Sequence, residues 1–232
     1  VILDCTKNNK SQLPNRFFID GDPEAILMLE LRSNDREQLN DKRDRLIADL
    51  DQSLSYAHPS LYGSEIDQAL ELRKAGLGLL GNIVGDKKAV ACIEDTAVTI
   101  EDLSAYIEAF STIMKKYDQR AVYYAHAGAG ELHLRPILDL KKSEDVKLFR
   151  QITTDVAYLV KEYGGSFSGE HGDGRVRAEF IKLMIGEANY NILKRIKNTF
   201  DPKGILNPGK IIDVAPMDTN LRYEPDRIVP EV

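Results

Sequence analysis

Ala121-Val122-Tyr123-Tyr124-Ala125-His126-Ala127-Gly128-Ala129-Gly130-Glu131-Leu132-His133-Leu134-Arg135-Pro136 is the stretch that decides the fold. Ala121–Ala125 and Leu132–Pro136 are β-prone, and the segment between them carries two glycines, so the spacing predicts an antiparallel hairpin. Upstream, Ala89–Ile93 is a compact apolar run and predicts a strand; a helix opening at Thr99 carries Ile100, Leu103, Ile107, Phe110 and Met114, with Glu101 and Asp102 in its first turn. Downstream, Val146, Phe149, Ile152, Val156, Leu159 and Val160 predict a long helix from Ser143 to Tyr163. Gly164 to Gly174 holds five glycines in eleven residues and predicts irregular backbone. One or two helices then lead from Arg175 to Phe200 and into turns at Asp201–Lys210.

Further out, Phe17-Phe18-Ile19 and Ala25–Leu31 flank Asp20-Gly21-Asp22-Pro23 and read as two strands around a turn. Asn34 to Tyr56 reads as an amphipathic helix, and a shorter helix from Ile66 runs into Gly76 and Gly78, placing Arg73 near a helix end. Because adjacent strands twice share a short connection, the order predicts an α+β fold: a mostly antiparallel sheet covered by helices, compatible with a ferredoxin-like duplication.

The composition excludes several function classes. The 232 residues carry 31 Lys+Arg against 37 Asp+Glu, a net charge of −6, which argues against a nucleic-acid binder. No apolar run approaches the roughly 20 residues of a bilayer span, and the start lacks the shape of a signal peptide. Cys5 and Cys92 form no C-x-x-C pair, so cysteine-ligated clusters are not expected and both read as buried thiols of a reducing, cytoplasmic compartment. Gly169, Gly172 and Gly174 do not follow a strand as a dinucleotide fingerprint would, and neither a nucleophile-elbow serine nor a phosphate-loop lysine is present.

Three of the four histidines lie in the two Gly-rich segments. If His126 ends one strand and His133 begins its partner, the hairpin brings both imidazoles to one end of the sheet, and Glu170 completes a two-His, one-carboxylate set suited to Zn²⁺, Mn²⁺ or Fe²⁺. The bland reading makes each a hydrogen-bonded loop histidine. His171 is the acid/base candidate, against a plain helix-capping role shared with Glu170. Arg73 offers a fork for a carboxylate, against a surface ion pair. Glu94-Asp95, Tyr123-Tyr124 and Arg135 read as structural.

The segments His126–His133, Ser168-Gly-Glu-His-Gly172 and Phe200-Asp-Pro-Lys-Gly-Ile-Leu-Asn-Pro-Gly-Lys210 resemble the C-terminal cap domain of FAD-linked oxidases of the vanillyl-alcohol oxidase superfamily. Leu72–Leu80, Ile93–Val98, His133–Pro136 and Met217–Tyr223 are similar to the large bacterial members that add a C-terminal iron–sulfur module. The resemblance covers about Asn15 to Tyr223. It implies a cap domain over 1–212, with 200–212 returning to an upstream FAD-binding domain, and a linker over 213–232 towards a 4Fe-4S module, both modules being absent here. It further implies His126, His133 and Glu170 as ligands of a divalent metal, His171 as the base beside the flavin, Arg73 at the substrate carboxylate and Asn207 against the FAD domain. The implied reaction oxidises a D-2-hydroxy acid such as D-lactate, glycolate or D-2-hydroxyglutarate, with this piece inactive alone and an electron acceptor as partner, met peripherally at the inner membrane.

Two positions depart from that pattern. Glu131, taken as a substrate-binding position, stands where many relatives carry Asn or another uncharged residue, and its carboxylate adds a metal ligand or repels an anionic substrate; Ile93-Glu94-Asp95 lacks the basic residue that some relatives use for a second carboxylate. Two alternatives follow: a non-catalytic binding or assembly domain whose metal site has decayed, and a metal-dependent hydrolase.

Overall fold

A computed structural model describes residues 1–50 and 55–228, which divide into two compact units, Val1–Asn82 and one beginning at Ile83. The first unit is helical: α1 (Ile2–Lys7), α2 (Arg36–Asp49) and α3 (Ser64–Leu79), with a 3-10 turn over Leu13–Arg16. Asp35 caps α2 by accepting from the Glu37 amide, and the chain turns extended at Leu50, so the helix ends before the expected Tyr56; residues 51–54 of that expectation lie outside those described. α1 packs on α3 where Gly76 leaves room for Ile2, and Arg16 ties the next turn down by donating to the Leu3 carbonyl at 3.0 Å and the Thr6 hydroxyl at 2.5 Å.

Two expectations fail in this unit. Phe17 to Arg32 contains no strand, and Leu27 and Leu29 remain 76% and 60% exposed. A lone hairpin is marginal in water, and among the described residues of this unit no sheet edge is available to take up the apolar alternation. α3 also runs through Gly76 and Gly78 to Leu79, so Arg73 sits well inside a helix rather than near its end. Packing of buried Ala69, Leu72 and Leu79 outweighs the weak helix propensity of the two glycines.

The second unit contains a four-stranded antiparallel sheet: β1 (Lys88–Ala89), β2 (Ile93–Ala97), β3 (Ala121–His126) and β4 (Glu131–Leu138). β4 pairs with all three others, meeting β3 from Ala121↔Pro136 to His126↔Glu131, β2 from Ile93↔Leu134 to Ala97↔Glu131, and β1 at Lys88↔Leu138. The expected Ala89–Ile93 strand is thus split between β1 and β2. Pro136 accepts from the Val90 amide at 2.8 Å but has no N–H to return, and the chain turns at Ala91 and Cys92. Cys92 is buried in the core, its thiol pushed up to about 12 by burial, whereas Cys5 is only half-buried.

The helices are α4 (Leu103–Lys116), α5 (Ser143–Glu162) and α6 (Ile181–Phe200), the last kinked at Gly186. Tyr106, Phe110 and Met114 from α4 and Phe149, Ile152, Val156 and Val160 from α5 form the core with Leu132, Leu134 and Leu138. Period-two alternation then sends Glu131, His133 and Arg135 to the opposite face of β4. The antiparallel sheet with its covering helices is the α+β fold expected.

The segment after α6 folds back on α5. Met217 is buried, Asp226 accepts from the Ser143 amide at the start of α5, and Arg150 donates to both Asp218 oxygens at 2.7 and 2.8 Å and to Glu179 at 2.8 and 3.1 Å. The Arg150 pair holds the Asp218 carboxyl below its ordinary value of 3.8. The stabilisation is therefore complete above that value and is lost as pH falls through the lower folded one. Asp218→Asn should cost about 1–2 kcal/mol near neutrality. Thermal melts should show that gap closing as the pH falls below the ordinary value of 3.8.

Candidate functional site

The sheet register assembles the site. His126 lies opposite Glu131 across the hairpin, Tyr124 opposite His133, and Glu94 of β2 opposite His133 on the other side. The turn that permits this is a 3-10 turn over Ala127–Ala129 closed by Gly130 at φ 70°, where a Cβ would come within 2.0 Å of the Val98 carbonyl oxygen. The His126 and His133 rings sit 5.3 Å apart edge to face, with Tyr124 against both.

Glu170 and His171 arrive from the other Gly-rich segment. Ser166 and Ala97 exchange backbone hydrogen bonds at 2.9 Å, and the Gly169 amide donates to the Asp95 carbonyl at 2.7 Å, so residues 166–169 run along β2. Gly165 allows the approach, since a Cβ there would meet the Ala97 carbonyl at 2.4 Å. Asp95 fixes the loop end. It is fully buried at the irregularity between Glu94 and Thr96, with φ 81°, and its carboxylate accepts from the Ser168 hydroxyl at 2.5 Å and the amides of Glu170 and His171 at 2.7 and 3.0 Å. Burial alone would raise this carboxyl, but those donors outweigh it and bring it down to about 2. Arg177, itself buried, stands 3.3 Å from Asp95 and donates to the carbonyls of Glu94 and Gly172.

The expected donors converge. Ligating atoms of His126, Glu131, His133 and Glu170 all lie within 4.8 Å of one another, with Glu170 Oε1 at 3.8 Å from His126 Nε2 and 3.6 Å from His133 Nε2. His171 stacks on His133 at 5.3 Å, its Nε2 3.3 Å from Glu170 Oε1 and its Nδ1 4.0 Å from Glu94. Burial lowers the His133 pKa and keeps its imidazole in the neutral, ligating form. Glu131 is pushed up to about 7, chiefly by burial and then by Asp95 and Glu170 beside it, and its Oε1 is buried without a hydrogen-bond partner. Two imidazoles, an exposed carboxylate and an unsatisfied buried carboxylate oxygen fit a divalent cation.

Arg73 belongs to the first unit and the cluster to the second. Asn207 is exposed at φ 47° in the turns after α6, which Asp201 organises by accepting from the Ile205 and Leu206 amides at 2.9 Å. Arg135 forms an ion pair with Glu94 at the edge of the site. Asp95, a candidate that the sequence reading placed as structural, anchors the site, and Arg177 was not singled out by sequence reasoning. The signal available for Asp95 was an acid amid β-prone residues, pointing to an irregular strand.

The sequence matches the family described as FAD linked oxidases, C-terminal domain, over residues 5–211. The D-2-hydroxyglutarate dehydrogenase of Haemophilus influenzae is 33% identical over 93% of this chain and 23% of its own length, and that of Pseudomonas putida 35% identical over 92% and 23%. The 4-ethylphenol oxidase of Gulosibacter chungangensis shares the fold, with a TM-score of 0.51 at 18% identity over 76% of this chain and 37% of its own. This chain belongs to the FAD-linked oxidase C-terminal domain family, and it spans about a quarter of the length of the curated relatives it matches.

Asp95→Asn keeps the shape but replaces one acceptor oxygen by a donor facing amides. It should lower stability by about 1–3 kcal/mol. Hydrogen exchange should be faster at Glu170 and His171 while the amides of β4 stay protected.

Proposed function

We propose that this chain is the substrate- and metal-binding cap of a flavin-dependent dehydrogenase that oxidises a D-2-hydroxy acid, of the D-lactate, glycolate or D-2-hydroxyglutarate type, to the 2-oxo acid. The observation that carries this reading is the convergence of His126, His133 and Glu170 beside His171. The names of the similar proteins, D-2-hydroxyglutarate dehydrogenases and the glycolate oxidase subunit GlcD of Bacillus subtilis, supply the substrate class.

A divalent cation held by His126, His133 and Glu170 would supply Lewis acidity towards the substrate hydroxyl, and the flavin of an FAD-binding domain would supply the hydride acceptor. His171 takes the hydroxyl proton at Nε2 while the Cα hydrogen leaves with its electron pair as a hydride, so one proton and one hydride part from the substrate by different routes. The Glu94 carboxylate stands 4.0 Å from the other ring nitrogen, Nδ1. His171 is part-exposed, which lets it return the proton to water. No strand-to-helix turn among the described residues carries a Gly-rich phosphate loop, so nucleotide binding is assigned to the FAD-binding domain. The substrate carboxylate is assigned to Arg73 on its chemistry, the contact with the FAD domain to Asn207, and onward electron transfer to an iron–sulfur module. Among the described residues no helix is long and apolar enough to cross a membrane.

The full polypeptide should reduce dichlorophenolindophenol with a D-2-hydroxy acid and not with its L-enantiomer; inactivity with both would overturn the assignment. His171→Ala should reduce kcat by about 10²–10⁴-fold. Metal content measured by atomic emission should stay near the wild-type level in that variant, and loss of metal would mean that His171 is a ligand instead.

A further inference from the structure

We infer that Glu131 is a fourth protein ligand of the cation, making this a two-histidine, two-carboxylate centre; the inference rests on the metal reading above and adds one residue to it. Four carboxylates crowd this face, and the cations nearby are already committed. Glu94 pairs with Arg135, and Asp95 has Arg177 together with a hydroxyl and two amides. Glu131 has neither. Its side chain is 8% exposed, its Oε1 is without a hydrogen-bond partner, and that same oxygen stands 3.7 Å from His133 Nε2, on the side where His126 and Glu170 gather.

A buried carboxylate packed beside two others, with one oxygen unpartnered and no counter-charge from Lys or Arg, is costly, and an uncharged residue would serve a purely packing role better. A divalent cation among His126, Glu131, His133 and Glu170 removes the conflict, because the charges of Glu131 and Glu170 balance it. A second hard oxygen donor also alters selectivity, favouring Mn²⁺ relative to Zn²⁺ compared with a site of two imidazoles and a single carboxylate.

The test titrates the purified protein with Mn²⁺ and, separately, Zn²⁺, comparing wild type with Glu131→Gln, a shape-preserving change. Free Mn²⁺ is read by electron paramagnetic resonance and folding by thermal melts with and without metal. Wild type should bind one Mn²⁺ per chain, and Glu131→Gln should bind it about 10–100-fold more weakly, with a smaller loss for Zn²⁺. Metal-free Glu131→Gln should melt at or above the metal-free wild type, because the change removes an unpartnered buried charge. Equal Mn²⁺ affinity in the two proteins would overturn the role of Glu131 while leaving the three-ligand site intact. A metal-free variant melting well below wild type would mark Glu131 as a structural residue and overturn it too. Absence of Mn²⁺ and Zn²⁺ binding in wild type would overturn the metal reading itself.

Discussion

The Asp95 carboxylate is the fixed point from which the site is built. One fully buried acid accepts from a hydroxyl and two consecutive amides of a loop more than seventy residues away, while Arg177 supplies the opposing charge. Charge-assisted bonds of this kind are roughly twice as strong as neutral ones. They act on the backbone of Glu170 and His171, so they fix where those side chains start without occupying the side chains themselves. The acid can reach this position because β2 is irregular there: a regular strand would send residue 95 to the face opposite residue 94, whereas φ 81° turns it towards the loop.

The second constraint is the two-residue period of β4. Leu132 and Leu134 bind the sheet to α4 and α5, and that choice commits Glu131, His133 and Arg135 to the other face. The hydrophobic core therefore sets the register of the functional face. A slip of one residue would bury the imidazole of His133 among leucines and present Leu132 and Leu134 to the site.

Much of this was legible in the sequence where local rules and tertiary packing agree. The hairpin needed only β-prone runs on either side of Gly128 and Gly130, and the α5 periodicity was unbroken from Val146 to Val160, so both lie close to where they were expected. The convergence of His126 and His133 followed from the hairpin, because strand ends joined by a short turn must meet. Glu170 was harder, since its place depends on a backbone ladder between Ser166 and Ala97 and on Asp95, long-range contacts that leave no periodic trace. Phe17 to Arg32 misled for the opposite reason. Its alternation satisfies the local requirement for strands, but pairing needs a partner that this unit does not offer.

The positions where local rules are broken bear on why the site is arranged this way. Among the described residues, the two buried side-chain atoms without a hydrogen-bond partner are Glu131 Oε1 and Arg177 Nε, and both belong to this face. The core beneath it is ordinary by comparison, with Tyr106 hydroxyl donating to Thr96 and Thr153 bonding back to the Phe149 carbonyl. A protein selected for stability alone would fill residue 131 with an apolar or amide side chain. Keeping an acid there retains charge where the fold gains least from it. That is the pattern expected when a surface is shaped around something that is itself charged.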